Sequence, residues 1–444
     1  MSRTIAVIGG GIAGLTAAFG LASRGHDVTI LDEADRLGGR LTTEPVLLLF
    51  GSHTATWALL DQLHSASLLR PLRHTPLEFL QPNGSRVQYS PLPLPSPLNT
   101  LVGTTLFQGL SMRDRWRLLA FLERTWERDP PMPDDLETQA AESWLAAIGQ
   151  SETARRSVWN PLSRLMLSGD LENVSASLFM RTLRRYFFTG ARASKIIVPS
   201  IDVSRLLITP LIERLTEQQV SIRLSTAVTG LRFSHDRVTA AEFGNRDTVA
   251  ADCYVLALPF PRLRRLLPER VMTHYAYFQQ LGRLRAVCMV AVHLQVAYGT
   301  GRSSVVLLSQ GSFHWCVTRP AVGRREDVTD LYLVATGNTG LFSSSDAAVL
   351  ETARTDAAAA CPPLGTPPLI RHKITRVAET VLSVKPGTQP YRPLQQSPFL
   401  NLFLAGDWTD TGWPANLESA IESGNRCAGA IAMSRSSPSQ DADQ

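Results

Sequence analysis

The chain has 444 residues, 44% of them apolar and 19% charged, with a formal net charge of +5. That length and composition exclude intrinsic disorder and predict a globular chain of two domains. Its basic residues are mostly scattered arginines, apart from clusters such as Arg184-Arg185 and Arg262-Leu-Arg-Arg265, so no basic stripe or recognisable module supports nucleic-acid binding. Along the chain, the first element is the stretch Ala6-Val-Ile-Gly-Gly-Gly-Ile-Ala-Gly-Leu15, a glycine-rich turn between a predicted strand and a predicted helix. Gly9 makes the tight turn, Gly11 lets the backbone approach a pyrophosphate, and Gly14 lets the helix pack closely on the sheet. The helix, predicted from Ile12 through Ala13 to Arg24 and stopped by Gly25, offers free N–H groups and a positive dipole end to phosphates. A second strand, Val28-Thr-Ile-Leu-Asp32, ends on a carboxylate suited to the ribose hydroxyls, with Glu33 beside it. These features predict a dinucleotide-binding βαβ unit.

Further on, Ser111-Met-Arg-Asp114 reads as a capping-box variant opening a helix with Trp116, Leu119, Leu122 and Trp126 at helical spacing. Ser175 caps a second such helix, carrying Leu178, Phe179, Leu183 and Tyr186. Both stripes read first as core faces and otherwise as walls of an apolar substrate tunnel. Ser204 to Gln219 is predicted as a helix, and Val220 to Leu224 as a strand continuing through Ala227-Val228. Cys253 to Pro259 is an apolar strand stopped by proline. Strands are also predicted over Val287 to Leu294 and Leu331 to Val334. Near the C-terminus, Leu402 to Ala405 is a strand, Gly406-Asp407 a turn, and Ala415 to Ala432 a helix. Proline-rich stretches at 91–97, 130–133 and 362–368 are predicted loops, and the polar tail at 434–444 is predicted to be disordered. The dinucleotide-binding domain is therefore expected in three pieces, 1–55, 196–260 and 398–433. A substrate-binding domain, 56–195 and 261–397, interleaves with it.

Asp32-Glu-Ala-Asp-Arg-Leu-Gly-Gly-Arg40 resembles the pattern of flavoproteins of the phytoene desaturase and flavin amine oxidase superfamily. Leu404-Ala-Gly-Asp-Trp-Thr409, followed by Trp413-Pro-Ala-Asn-Leu-Glu418, is similar to that superfamily's C-terminal flavin motif. The resemblance implies FAD as cofactor and an α/β fold, in which a Rossmann-like FAD-binding domain is interleaved with an α+β substrate domain. It implies that Gly39, Arg40, Gly406, Asp407, Pro414 and Ala415 join the glycine turn and Asp32 in holding FAD. It also places Val228 at the position whose backbone meets adenine. The positive end of the helix near Pro414-Ala415 is expected to favour negative charge on the flavin.

Pro91-Leu-Pro-Leu-Pro95, Ala141-Glu-Ser-Trp-Leu145, Trp159-Asn-Pro-Leu162, Ser175-Ala-Ser-Leu-Phe179 and Ile197-Val-Pro-Ser200 resemble, in order and spacing, the bacterial squalene-associated FAD-dependent desaturases, or hydroxysqualene dehydroxylases. That resemblance implies reductive replacement of an allylic hydroxyl by hydrogen, giving squalene for hopanoid synthesis, with the hydride drawn from reduced FAD. Carotenoid desaturation, amine oxidation and non-enzymatic isoprenoid binding are the alternatives. Asp410, Glu418 and His53 are candidate proton donors to the departing hydroxyl, and none is assigned. One departure from the family stands out: the loop after Arg40 is short, passing through Thr42-Thr-Glu-Pro45 to Val46-Leu-Leu-Leu-Phe50 and Gly51-Ser-His53.

The five cysteines lie far apart, with no CxxC and no metal spacing, which suits reduced thiols in a cytoplasmic protein. No signal peptide or membrane-spanning run is expected. A lipid substrate would place the chain peripherally on the inner face of the cytoplasmic membrane, with the arginine-rich segment Arg262–Leu267 one place for such contact. The oligomeric state is left open.

Overall fold

A computed structural model describes residues 2–43, 46–69, 74–90, 92–94, 98–124, 135–244, 247–321, 327–361 and 368–434. The contacts divide the chain into two units, Met1–Thr42, Leu207–Gly282 and Arg392–Gln444 forming the first, and Thr43–Leu206 with Arg283–Tyr391 the second. The expected boundaries fell elsewhere, and strand pairing explains part of the shift. Leu49–Phe50 pairs antiparallel with Ile196–Ile197, so both segments belong to the second unit.

The first unit is built on a five-stranded parallel sheet, in the order Leu402–Leu404, Cys253–Leu256, Thr4–Ile8, Asp27–Leu31, Ser221–Arg223. Ile5, Ala6, Val7 and Ile8 are all buried, the continuous apolar run that a parallel strand covered on both faces requires. The first helix runs Ile12–Ala22 and closes at Gly25, where φ is +81°. The last helix spans Leu417–Met433 and crosses the first through small residues. A Cβ on Gly424 would lie 2.5 Å from the Ala13 carbonyl oxygen, so only glycine permits that approach. The helix was expected from Ala415. It starts two residues later because the Asn416 side chain accepts the Ser419 N–H at 2.9 Å and caps it. The predicted helix 204–219 is a π-turn, Ser204–Ile208, running into the helix Thr209–Glu217. The change of pitch coincides with Pro210, which has no N–H to give to the preceding turn. A three-stranded antiparallel sheet, Val228–Ser234, Arg237–Phe243 and Asp247–Val249, completes the unit. The expected disordered tail lies outside the described residues except for Ser434, which is held by the Arg3 guanidinium at 2.8 Å.

The second unit contains a seven-stranded sheet in the order Leu369–Leu382, Ala286–Val296, Thr329–Thr336, Trp315–Pro320, Ser304–Leu308, Leu77–Leu80, Arg86–Tyr89. All its pairings are antiparallel except that of Ser304–Leu308 with Leu77–Leu80. One face packs Val290, Val292, Leu294, Leu331 and Leu333 against Val349, Ala353 and Ala357 of the helix Asp346–Ala360. The capping expectations hold in detail. Ser111 accepts the Asp114 N–H at 3.1 Å ahead of the helix Met112–Arg124, and Ser175 accepts the Leu178 N–H at 3.3 Å ahead of Ala176–Leu183. Leu178, Phe179, Leu183 and Tyr186 are buried as expected. Trp116 is a correction: it is 65% exposed, because its helix turns Asp114 and Leu118 inward instead. Leu119 is half-buried, while the Leu122 side chain, Trp126 and most of the predicted proline-rich loops fall outside the described residues.

Candidate functional site

The site in the first unit begins at the turn between Ile8 and Ile12. Gly9 has φ of +108°, and a Cβ there would sit 2.6 Å from the Ala257 carbonyl oxygen. A Cβ on Gly14 would lie 2.0 Å from the Gly9 oxygen, so the helix can rest on the turn only with glycine there. Gly11 differs, since nothing stands within 4 Å of where its Cβ would be. It is also the N-cap of a helix with no side-chain cap, so no capping side chain takes up the first-turn N–H groups around Ile12 and Ala13. Donors of this kind at a positive dipole end suit a pyrophosphate.

Asp32 follows the second strand directly. Its carboxylate accepts N–H groups from Gly10 and from Ala34, the latter at 2.7 Å, which fixes both oxygens beside the glycine turn. Its backbone carbonyl takes the Thr226 N–H at 2.7 Å, which brings the Val228 segment to the same strand end. Glu33 is turned away to an ion pair with Arg262. Gly38 donates to the Gly10 oxygen at 2.8 Å, and a Cβ on Gly39 would touch the Gly11 Cα at 3.0 Å. The Leu37–Arg40 segment is thereby laid against the glycine turn.

Arg40 pairs with Asp407 at 2.5 Å, joining two motifs that lie 367 residues apart in the sequence. Behind Asp407 the turn is held from within. Gly406 N–H donates to Ser423 Oγ at 3.0 Å, and Thr409 Oγ1 lies 2.7 Å from the same Ser423 hydroxyl. Arg392 is 5% exposed and donates to the carbonyl oxygens of Asp407, Thr409 and Trp413 at 2.8, 2.6 and 2.6 Å, and more weakly to Trp408. Sequence reasoning missed Arg392, because a single arginine in an irregular segment carries no periodic signal. Pro414 and Ala415 lie in the turn before the capped helix.

The proton-donor candidates separate. Asp410 is exposed, and its carboxylate accepts the Gly412 N–H at 3.0 Å. Glu418 is fully buried in the first turn of the last helix. His53 belongs to the second unit, where it is buried with Nε2 2.9 Å from the Tyr186 hydroxyl. Burial pushes its pKa down to about 3, so it is not an imidazolium near neutral pH.

The second unit also holds an apolar pocket, lined by Phe79, Tyr89, Phe107, Leu110, Leu118, Val158, Trp159, Leu162, Leu183, Phe187 and Phe188, with Asn99, Thr100, Gly103 and Thr104 of the helix Leu98–Leu106 along one side. The empty space there is ≈ 520 Å³, part of it open to solvent. Among the described residues of the two helical stripes read from the sequence, only Leu183 lines it. Among the described residues no cluster of metal-ligating side chains occurs, and no helix is long and apolar enough to cross a membrane. All five cysteines are free thiols.

The family described as flavin containing amine oxidoreductases matches residues 12–432. Among curated relatives, a probable zeta-carotene desaturase of Synechococcus elongatus is 23% identical over 96% of this chain and 98% of its own length. A 15-cis-phytoene desaturase from the same organism is 24% identical over 96% and 95%. Among solved structures, a triple mutant of putrescine oxidase superposes with a TM-score of 0.71 at 15% identity, covering 97% of this chain and 99% of the other. Cyclohexylamine oxidase of Brevibacterium oxydans does so with a TM-score of 0.69 at 16% identity and the same coverage. Those structural likenesses establish the fold.

Proposed function

The chain belongs to the flavin containing amine oxidoreductase family and uses FAD, and from that premise we propose that it acts on a long apolar isoprenoid. Its reaction in this reading is reductive dehydroxylation of hydroxysqualene to squalene in hopanoid synthesis. The observation that carries the substrate class is the full-length likeness to two desaturases of long polyenes. The largely apolar and aromatic lining of the pocket in the second unit, polar only along its Asn99, Thr100 and Thr104 side, supports it. The ordered central segments from Pro91 to Ser200 favour hydroxysqualene over a carotenoid.

When bound, FAD supplies the hydride that such a reaction consumes. The chain's own contribution is to hold that group. First-turn N–H groups of the helix Ile12–Ala22 would hold the pyrophosphate and Asp32 the ribose hydroxyls, while Arg40 is set in direction by Asp407. The first turn of the helix Leu417–Met433 favours negative charge near it. No residue is assigned as proton donor, and His53 is a poor one, because burial removes its imidazolium form at neutral pH.

Carotenoid desaturation is the second reading, favoured by the activities that those relatives' names give. Product analysis after incubating the protein with FAD, a reductant and hydroxysqualene distinguishes the two. Squalene supports the first reading, and conjugated polyenes formed from phytoene without reductant support the second. Hydrogen peroxide released on addition of simple amines would overturn both.

A further inference from the structure

Thirteen large apolar side chains are exposed among the described residues, and seven of them fall between Leu94 and Trp116. The helix Leu98–Leu106 is inverted relative to an ordinary surface helix. Leu98, Leu101, Val102 and Leu106 recur at three- and four-residue spacing and face outward, whereas Asn99, Thr100 and Thr104 face inward along the apolar pocket. Met112 and Trp116, 57% and 65% exposed, extend the outer stripe onto the next helix. Arg115 ties the two helices together, donating to the Thr105 and Leu110 carbonyl oxygens at 2.6 and 2.9 Å. The result is a concentration of exposed apolar side chains on two successive helices joined through Arg115, the kind of surface that marks an interaction site.

We propose that this surface docks on an anionic lipid bilayer, its leucines at the boundary between headgroups and acyl chains. The pocket on the inner side of Leu98–Leu106 then draws its ligand from that bilayer, a consequence that rests on the isoprenoid reading. Charge selects the occupant. Arg113 is exposed beside the apolar stripe, and the part-buried Arg115 and Arg117 flank it with their guanidinium groups on the Thr105, Leu110 and Gly149 carbonyl oxygens. Between Val87 and Leu122 the only acid is Asp114, which is buried and bonded to Ser111 and Ser151. A basic, apolar face with an indole at its rim complements anionic headgroups. A second copy of the chain fits less well, since a twofold contact would set these arginines against their own equivalents. The helix Phe260–Leu266 does not provide such a face, because Leu263 and Leu267 are buried and Arg262 is paired with Glu33.

The test is flotation of the FAD-loaded protein with vesicles of phosphatidylcholine alone and of phosphatidylcholine with phosphatidylglycerol. The native protein should float with the phosphatidylglycerol vesicles, and high salt should reduce that binding. A variant carrying Leu101→Ser, Leu106→Ser and Trp116→Ser should bind about tenfold less or weaker, with flavin content and melting temperature unchanged because these side chains are exposed. Arg113→Glu should lower binding to phosphatidylglycerol vesicles selectively. Native protein that stays soluble with both vesicle types overturns the proposal, as does a triple variant that floats equally well. A native dimer that the triple variant converts to monomer, with neither floating, assigns the face to a second copy instead. Vesicle binding as described, without turnover of any isoprenoid, leaves the docking surface standing and removes the substrate reading alone.

Discussion

At Asp32 the sequence points to a ribose-binding acid, and the structure adds a second duty. The carboxylate already accepts the Gly10 and Ala34 N–H groups, so it orders the glycine turn as well as offering lone pairs to a ligand. Asp32→Ala should weaken FAD binding by roughly 1.5 to 3 kcal/mol, the size of lost charged hydrogen bonds. Titrating apoprotein with FAD by flavin fluorescence measures this, and unchanged affinity would remove Asp32 from the site. The buried histidines make a separate prediction. Burial pushes His53 to about 3 and His314 to about 4, below the ordinary histidine value of about 6.5. A depressed histidine leaves the folded state with fewer bound protons than the unfolded chain. Its contribution is therefore intact above about pH 6.5 and lost as pH falls toward those folded values. Between about pH 6.5 and 5 the loss is roughly 2 kcal/mol per histidine, readable by urea unfolding. His53→Gln should flatten that dependence, and an unaltered slope would contradict the assignment.

Among the elements, the glycine turn, its helix and the two strands beside it were legible because each glycine answers a local steric demand that a short motif records. The close approach at Gly14 matches the packing role read from spacing, and the open space at Gly11 leaves room for the pyrophosphate expected there. What lay hidden were the long-range supports. Nothing adjacent to Arg392 in sequence indicates that it gathers the carbonyls of residues 407, 408, 409 and 413. The inverted polarity of Leu98–Leu106 was equally invisible, because periodicity gives a stripe without saying which side meets the core. Trp116 was misplaced for that reason. Arg392→Met should destabilise the protein by about 3 to 5 kcal/mol, since several buried carbonyls lose their donor together at ~1 to 3 kcal/mol each. Arg392→Lys should rescue little, because a point charge cannot reach carbonyls that a planar fork spans. Thermal melting and flavin retention read both variants, and a stable, yellow Arg392→Met protein would refute the role.

For the whole molecule, the fold class could be read because two motifs at opposite ends of the chain both pointed to a flavin. The Arg40–Asp407 ion pair is their physical junction. The unit boundaries could not be read so closely, since pairing of Leu49–Phe50 with Ile196–Ile197 depends on contacts that no local pattern encodes. Substrate choice is decided by an anaerobic single turnover. Holoprotein reduced beforehand is mixed with hydroxysqualene, while flavin absorbance and products are followed together. The oxidised flavin spectrum should return with one squalene formed per flavin. A reduced spectrum that persists with hydroxysqualene, while oxidised protein is bleached by phytoene or by an amine, would contradict the hydroxysqualene reading.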